Sequence, residues 1–95
     1  MKALRGLLLD FLKRIYPKEI EELAIISVFY QYYHDKEIKQ ALHYLVDKGY
    51  AEKKETQHPY IRRKKIAFYR ITARGIDLLE GTITDEGVTL PEEGE

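Results

Sequence analysis

Apolar residues recur at steps of three and four along the first segment, at Leu4, Leu7, Leu8, Phe11, Leu12 and Ile15, the period of one helix face. Lys2, Arg5, Asp10, Lys13 and Arg14 fall elsewhere around the wheel, so the segment predicts an amphipathic helix that ends near Tyr16, where Pro17 breaks it. Leu9 stands opposite the main stripe, a surplus apolar position that points to a seam with a second copy. Proline also suits the first turn of a new helix, and Glu19, Glu21 and Glu22 complement a helix N-terminus. A second helix is therefore expected from residue 18 or 19 to about 30, with Ile20, Leu23, Ala24, Ser27 and Val28 toward the core. The next stretch, FYQYYHD, is bulky and aromatic where a tight turn would usually carry glycine.

Asp35 can cap a third helix, DKEIKQALHYLVDKG, which Gly49 stops. Its buried stripe is Ile38, Ala41, Leu42, Leu45 and Val46. At 100° per residue the opposite side carries Lys36, Gln40, His43 and Asp47, flanked by Lys39 and Tyr44. After Gly49 the period changes. YAEKKET and IRRKKIAFYRIT have the β-branched and aromatic content of strands, with a turn at QHPY around His58 and Pro59, and predict a two-stranded hairpin. Tyr69 and Ile71 alternate inward, leaving Phe68 and Arg70 on the other face, where the phenylalanine suggests an interface or cover from the C-terminal segment. Thr72 caps a last short helix, ARGIDLLEG, that ends at Gly81. The remaining TITDEGVTLPEEGE is acidic and without helical period, and is expected to be loose.

These elements make one domain over residues 1–81 followed by a flexible acidic tail over 82–95, in a chain of 95 residues. The fold class is mainly α with a small antiparallel hairpin. Net charge is zero, but all 16 bases lie at or before Arg74 with only 9 of the 16 acids, so residues 1–75 carry +7 and residues 76–95 carry −7. Phosphate binding depends on such local potential rather than on the whole-chain sum.

The order helix, helix, helix, hairpin, short helix is that of a winged helix-turn-helix domain, a three-helix bundle with a wing. From about Leu4 to Leu79 the chain resembles winged helix-turn-helix regulators of the broad MarR and PadR kind, most clearly at ALHYLVDKGYAEKKE and YRITARGIDLLE. RITARGIDLLEG is also similar to small winged-helix proteins of Mu-like prophages. The resemblance implies that Lys36, Lys39, Gln40, His43 and Tyr44 occupy the exposed surface of the helix that enters a major groove, with Arg62, Arg63, Lys64 and Lys65 on or near the wing. It also implies a dimer spanning two half-sites on double-stranded DNA.

The residue types agree with that expectation independently, since lysine and arginine neutralise phosphates and glutamine can read an adenine edge. The run RRKK, Arg62 to Lys65, is expected to put charge on both faces of a strand. Its bland alternative is a solvated strand edge. Tyr30, Tyr32, Tyr33 and Tyr60 can stack on bases, but at this density aromatics more often fill a small core or a dimer seam. A second function class, a protein-interaction module docking a partner through the wing and exposed aromatics, fits the neutral charge and the acidic tail. A third idea is that residues 82–95 fold over the basic wing and compete with phosphate.

Catalysis has no visible machinery. There is no cysteine, no glycine-rich phosphate loop and no serine or histidine constellation, and the adjacent Glu21 and Glu22 point apart on a helix. His34, His43 and His58 have no metal-ligand spacing and read as surface residues. The expectation is a non-enzyme without cofactor or metal. The lack of cysteine and of a membrane-length apolar run fits a cytoplasmic protein.

Overall fold

The computed structural model describes residues 1–92. In chain order the elements are α1 (Lys2–Arg14), β1 (Ile20–Glu21), α2 (Glu22–Phe29), α3 (Asp35–Asp47), β2 (Ala51–Gln57), β3 (Lys65–Ile71) and α4 (Ala73–Glu80). The strands form one antiparallel sheet in the order β1-β3-β2, so β3 is central. One core serves all of it. Leu4, Leu8 and Leu12 of α1, Ile25 of α2, and Ile38, Ala41, Leu42 and Leu45 of α3 are buried with Tyr69 and Ile71 of β3. Leu78 of α4 closes the core at one end.

The strongly periodic segments are helical where their spacing predicts, although Leu7 of the α1 stripe is exposed and Val46 of the α3 stripe is only half-buried. α3 buries the rest of its expected stripe, and Gly49 follows its end at φ +82°, a conformation that a residue with a Cβ rarely adopts. Gly81 ends α4 in the same way at φ +84°. Thr72 caps α4, its hydroxyl accepting from the Gly75 N–H at 3.1 Å and donating to the Gly49 carbonyl at 2.6 Å. One side chain thus pins the exit of α3 to the start of α4.

Four local readings change. First, the hairpin is part of a three-stranded sheet, because Ile20 and Glu21 pair with Tyr69 and Phe68 of β3. Residues 18–21 read locally as a helix start, and a partner 47 or more residues away leaves no local signal. Phe68 lies half-buried on the outer face between Glu21 and Lys54. Second, α2 begins at Glu22 and turns Ile25, Ile26 and Phe29 to the core, leaving Leu23 and Val28 half or more exposed. Nearly every position from 23 to 30 is apolar, so period alone does not choose the face.

Third, the N-cap of α3 is His34, not Asp35. The Glu37 carboxylate accepts from the His34 backbone N–H at 3.0 Å, and Asp35 is the first helical residue. The preceding turn is held by bulk in place of glycine: Phe29 meets Phe11 edge-on with centroids 5.7 Å apart, and the Tyr32 and Tyr33 N–H groups both donate to the Phe29 carbonyl. Fourth, Leu9 is fully buried rather than facing a second copy. α4 packs on that side of α1, with Gly75 beside Leu9, and a side chain at Gly75 would strike the Tyr50 carbonyl and Ile71.

The C-terminal segment is a strap over residues 82–92 and not a loose tail; residues 93–95 lie outside the described part. Val88 is 5% exposed, and the Thr89 N–H donates to the Lys2 carbonyl at 3.1 Å. The Arg5 guanidinium donates to the Gly87 carbonyl at 2.9 Å while stacking 3.5 Å above the Tyr44 ring. Asp85 accepts from the Tyr50 hydroxyl at 2.6 Å and the Gly87 N–H at 2.7 Å, and pairs with Lys48 at 3.2 Å. Among the described residues, the hydrogen bonds and ion pair that residues 82–92 make with the rest of the chain go to α1, α4, Lys48 and Tyr50, and none reaches the wing. Their acids do not cover it because Lys48 and Tyr50 capture Asp85 at the opposite end of β2.

Two outcomes follow. Gly75→Ala drives a Cβ into the Tyr50 carbonyl, so unfolding free energy falls by about 1–3 kcal/mol, which thermal denaturation reads directly. The Tyr50 hydroxyl and the Gly87 N–H, with Lys48, hold the Asp85 carboxyl at about 2. A carboxyl depressed on folding stabilises fully above its unfolded value near 4 and loses that contribution as pH falls toward 2. Protection factors at Val88 and Thr89, taken against the intrinsic exchange rate at each pH, should fall across that window, and Asp85→Asn should lower protection at pH 7 and flatten its pH dependence.

Candidate nucleic-acid interface

The residues with nucleic-acid chemistry come from two parts of the fold. On α3, Lys36, Lys39, Gln40 and His43 are exposed on the side away from the Ile38–Leu42–Leu45 stripe. Tyr44 is not among them. It sits on the flank toward α1, capped by the Arg5 guanidinium and overlain by Gly87, and so belongs to the strap's seat. Its helical angle leaves either flank open, and only the strap decides.

The basic run sits differently from the alternating strand expected. Arg62, Arg63 and Lys64 lie in the loop between β2 and β3, and only Lys65 enters β3. The loop is held by its own polar groups. The imidazole Nδ1 of His58 accepts from the N–H groups of Tyr60 and Ile61 at 3.1 and 3.0 Å, and the His58 N–H donates to the Lys64 carbonyl at 2.8 Å. The Gln57 amide donates to the Arg62 carbonyl at 3.0 Å. His58, read from sequence as a plain surface residue, is therefore the brace of the wing tip. Tyr60 projects from that tip at 90% exposure and Ile61 is half exposed beside it.

Pairing separates the cations of the sheet from those of α3 and the wing, while Lys2, Arg5, Lys18 and Arg74 elsewhere also have no carboxylate partner among the described residues. Lys13, Arg14, Lys48, Lys53, Lys54 and Arg70 each have a carboxylate within ion-pair distance, the tightest being the two-pronged Arg70–Glu52 pair across β3 and β2 at 2.9 Å. Among the described residues no carboxylate pairs with Lys36, Lys39, Arg62, Arg63, Lys64 or Lys65. Strand acids neutralise the sheet, while the α3 surface and the wing keep their charge.

A groove of about 270 Å³ connects the two parts. Lys39 of α3 and Lys64 and Lys65 of the wing line it together with Glu21, Glu22, Leu23, Ile66 and Ala67. The acidic wall was not legible in the sequence, because β1 brings it there by pairing with β3. Glu22 has a structural task as well: it accepts from the Tyr69 hydroxyl at 2.8 Å. Burial first, and then this carboxylate, push the Tyr69 hydroxyl well above the usual tyrosine range, so it remains a donor. Among the described residues no cluster of histidine and carboxylate side chains is arranged to hold a metal, and no helix is long and apolar enough to cross a membrane.

Comparison with known proteins gives the fold a neighbour. PadR of Bacillus subtilis, solved in complex with operator DNA, superposes with a TM-score of 0.62 at 21% sequence identity over 98% of this chain. The chain spans about half of that protein, 54% of its length. No protein-family model matches the chain, and no curated protein matches it in sequence. The fold is therefore a winged helix, with α2 and α3 as the helix-turn-helix and β2–β3 as the wing.

Proposed function

We propose that this protein is a DNA-binding regulator that lays the polar face of α3 in a major groove and sets the wing on the flanking phosphate backbone. The observation that carries this reading is the set of unpaired cations. Among the described residues, six bases on α3 and the wing have no carboxylate within ion-pair distance, whereas Lys13 and Arg14 of α1 and Lys53, Lys54 and Arg70 of the sheet each have one. Such a surface gains by exchanging condensed counterions of DNA for its own charges. The likeness to a protein solved on its operator supports the same reading. Lys36, Lys39, Gln40 and His43 are the base- and phosphate-facing side chains in this scheme, and Arg62, Arg63, Lys64 and Lys65 the wing contacts. Tyr44 is left out because Arg5 occupies its ring. A dimer on two half-sites belongs to this reading, with Leu9, an internal residue, taking no part in its seam. A cytoplasmic, non-catalytic role goes with it.

A second reading rests on different residues. Tyr60 and Ile61 at the wing tip and Leu23 in the groove, 59% exposed, would suit a protein partner, and Glu21 and Glu22 reduce the groove's positive charge without cancelling its three lysines.

Fluorescence anisotropy on mixed duplex DNA across a salt series separates the two. The DNA reading expects affinity to fall linearly on a log–log plot, and changing Arg62, Arg63, Lys64 and Lys65 together to alanine to weaken binding to every sequence by about tenfold or more at 0.1 M salt. No binding at low salt, or binding indifferent to salt and to the four substitutions, transfers the function to the protein-interaction module.

A further inference from the structure

We infer that the groove between α2, α3 and the foot of the wing seats a single backbone phosphate, gripped jointly by Lys39, Lys64 and Lys65. The inference rests on the DNA reading above and adds to it how many phosphates these lysines serve. Lys39 comes from a helix, and Lys64 and Lys65 come from the end of the wing loop and the first residue of β3, yet all three line the same space. The three lysines outnumber the two carboxylates of the lining, Glu21 and Glu22, and no carboxylate pairs with any of them within ion-pair distance among the described residues. An anion entering the groove supplies the partner that all three lack.

Size and lining limit the occupant. A volume of about 270 Å³ is that of roughly nine waters at about 30 Å³ each, enough for one phosphate with its sugar. Leu23, Ile66 and Ala67 offer the sugar an apolar surface, while Glu21 and Glu22 line the groove with the same sign of charge as a second phosphate. Glu22 is fixed there by the Tyr69 hydroxyl. A phosphate seated on the lysines joins α3 to the wing and so sets the depth of the recognition helix relative to the backbone.

The number of phosphates is measurable. The logarithm of affinity falls with the logarithm of salt at a slope of about 0.9 per phosphate neutralised on duplex DNA. Replacing Lys39, Lys64 and Lys65 together by alanine should reduce that slope by about 0.9 if they share one phosphate, and by about 2.7 if each holds its own. The loss from Lys39→Ala and the loss from the Lys64→Ala, Lys65→Ala pair should also fail to multiply in the triple variant, because either change unseats the same group. All three side chains are exposed, so an unchanged melting temperature certifies the variants. A fall in slope near 1.8 or 2.7 with multiplying losses, or no fall at all, overturns the shared seat while the DNA reading stands. Wild-type protein without salt-dependent DNA binding overturns both.

Discussion

Tyr69 is the residue on which the arrangement depends. Its ring is fully buried in the centre of the sheet, and its hydroxyl reaches the Glu22 carboxylate at the first residue of α2. A buried hydroxyl must find an acceptor or lose the hydrogen bonds it had in water, a penalty on the order of 1–3 kcal/mol. Meeting that requirement fixes α2 against β3, draws Ile20 and Glu21 into strand pairing and makes β3 the central strand. The position of the wing relative to the helices follows from it. With Tyr69 buried and β1 paired, Lys64 and Lys65 arrive beside Lys39.

Charge is then sorted by geometry. Acids on β2, α1, α4 and the strap, with Glu19, pair with six cations of the body, including Arg70 with Glu52 and Lys48 with Asp85. The solvent-exposed pairs contribute little to stability. Their larger effect is on the electrostatic field: they offset Lys53, Lys54 and Arg70 on the sheet, while Lys36, Lys39 and the run from Arg62 to Lys65 have no carboxylate partner among the described residues. A chain of zero net charge thus presents a basic surface. The strap reinforces the sorting, since its packing on α1 and Tyr50 keeps Asp85 at the end of the sheet away from the wing tip.

Much of this was legible in the residues themselves. Periodicity identified α1, α3 and α4, the caps at Thr72, Gly49 and Gly81 marked their limits, and the β-branched run marked the hairpin, because each signal acts within a few residues of itself. The unpaired character of Lys36, Lys39 and the RRKK run was not legible, since pairing depends on which acids the fold brings near. Tyr44 shows the same limit from the other side: its place on the helix wheel allows either exposure or burial, and Arg5 and Gly87 settle it from far along the chain.

By itself, then, the sequence determined the number, type and approximate limits of the strong elements, and the segregation of its bases before Arg74 from the acids that follow. Those are properties of short windows, in which side-chain period, capping and backbone preference compete only with one another. Tertiary structure alone decided the burial of Leu9, the core face of α2, the pairing of β1, the docking of the strap and the convergence of Lys39, Lys64 and Lys65. Each of those joins residues remote in sequence, and its free energy comes from burial and hydrogen bonding that exist only once the distant partner is in place.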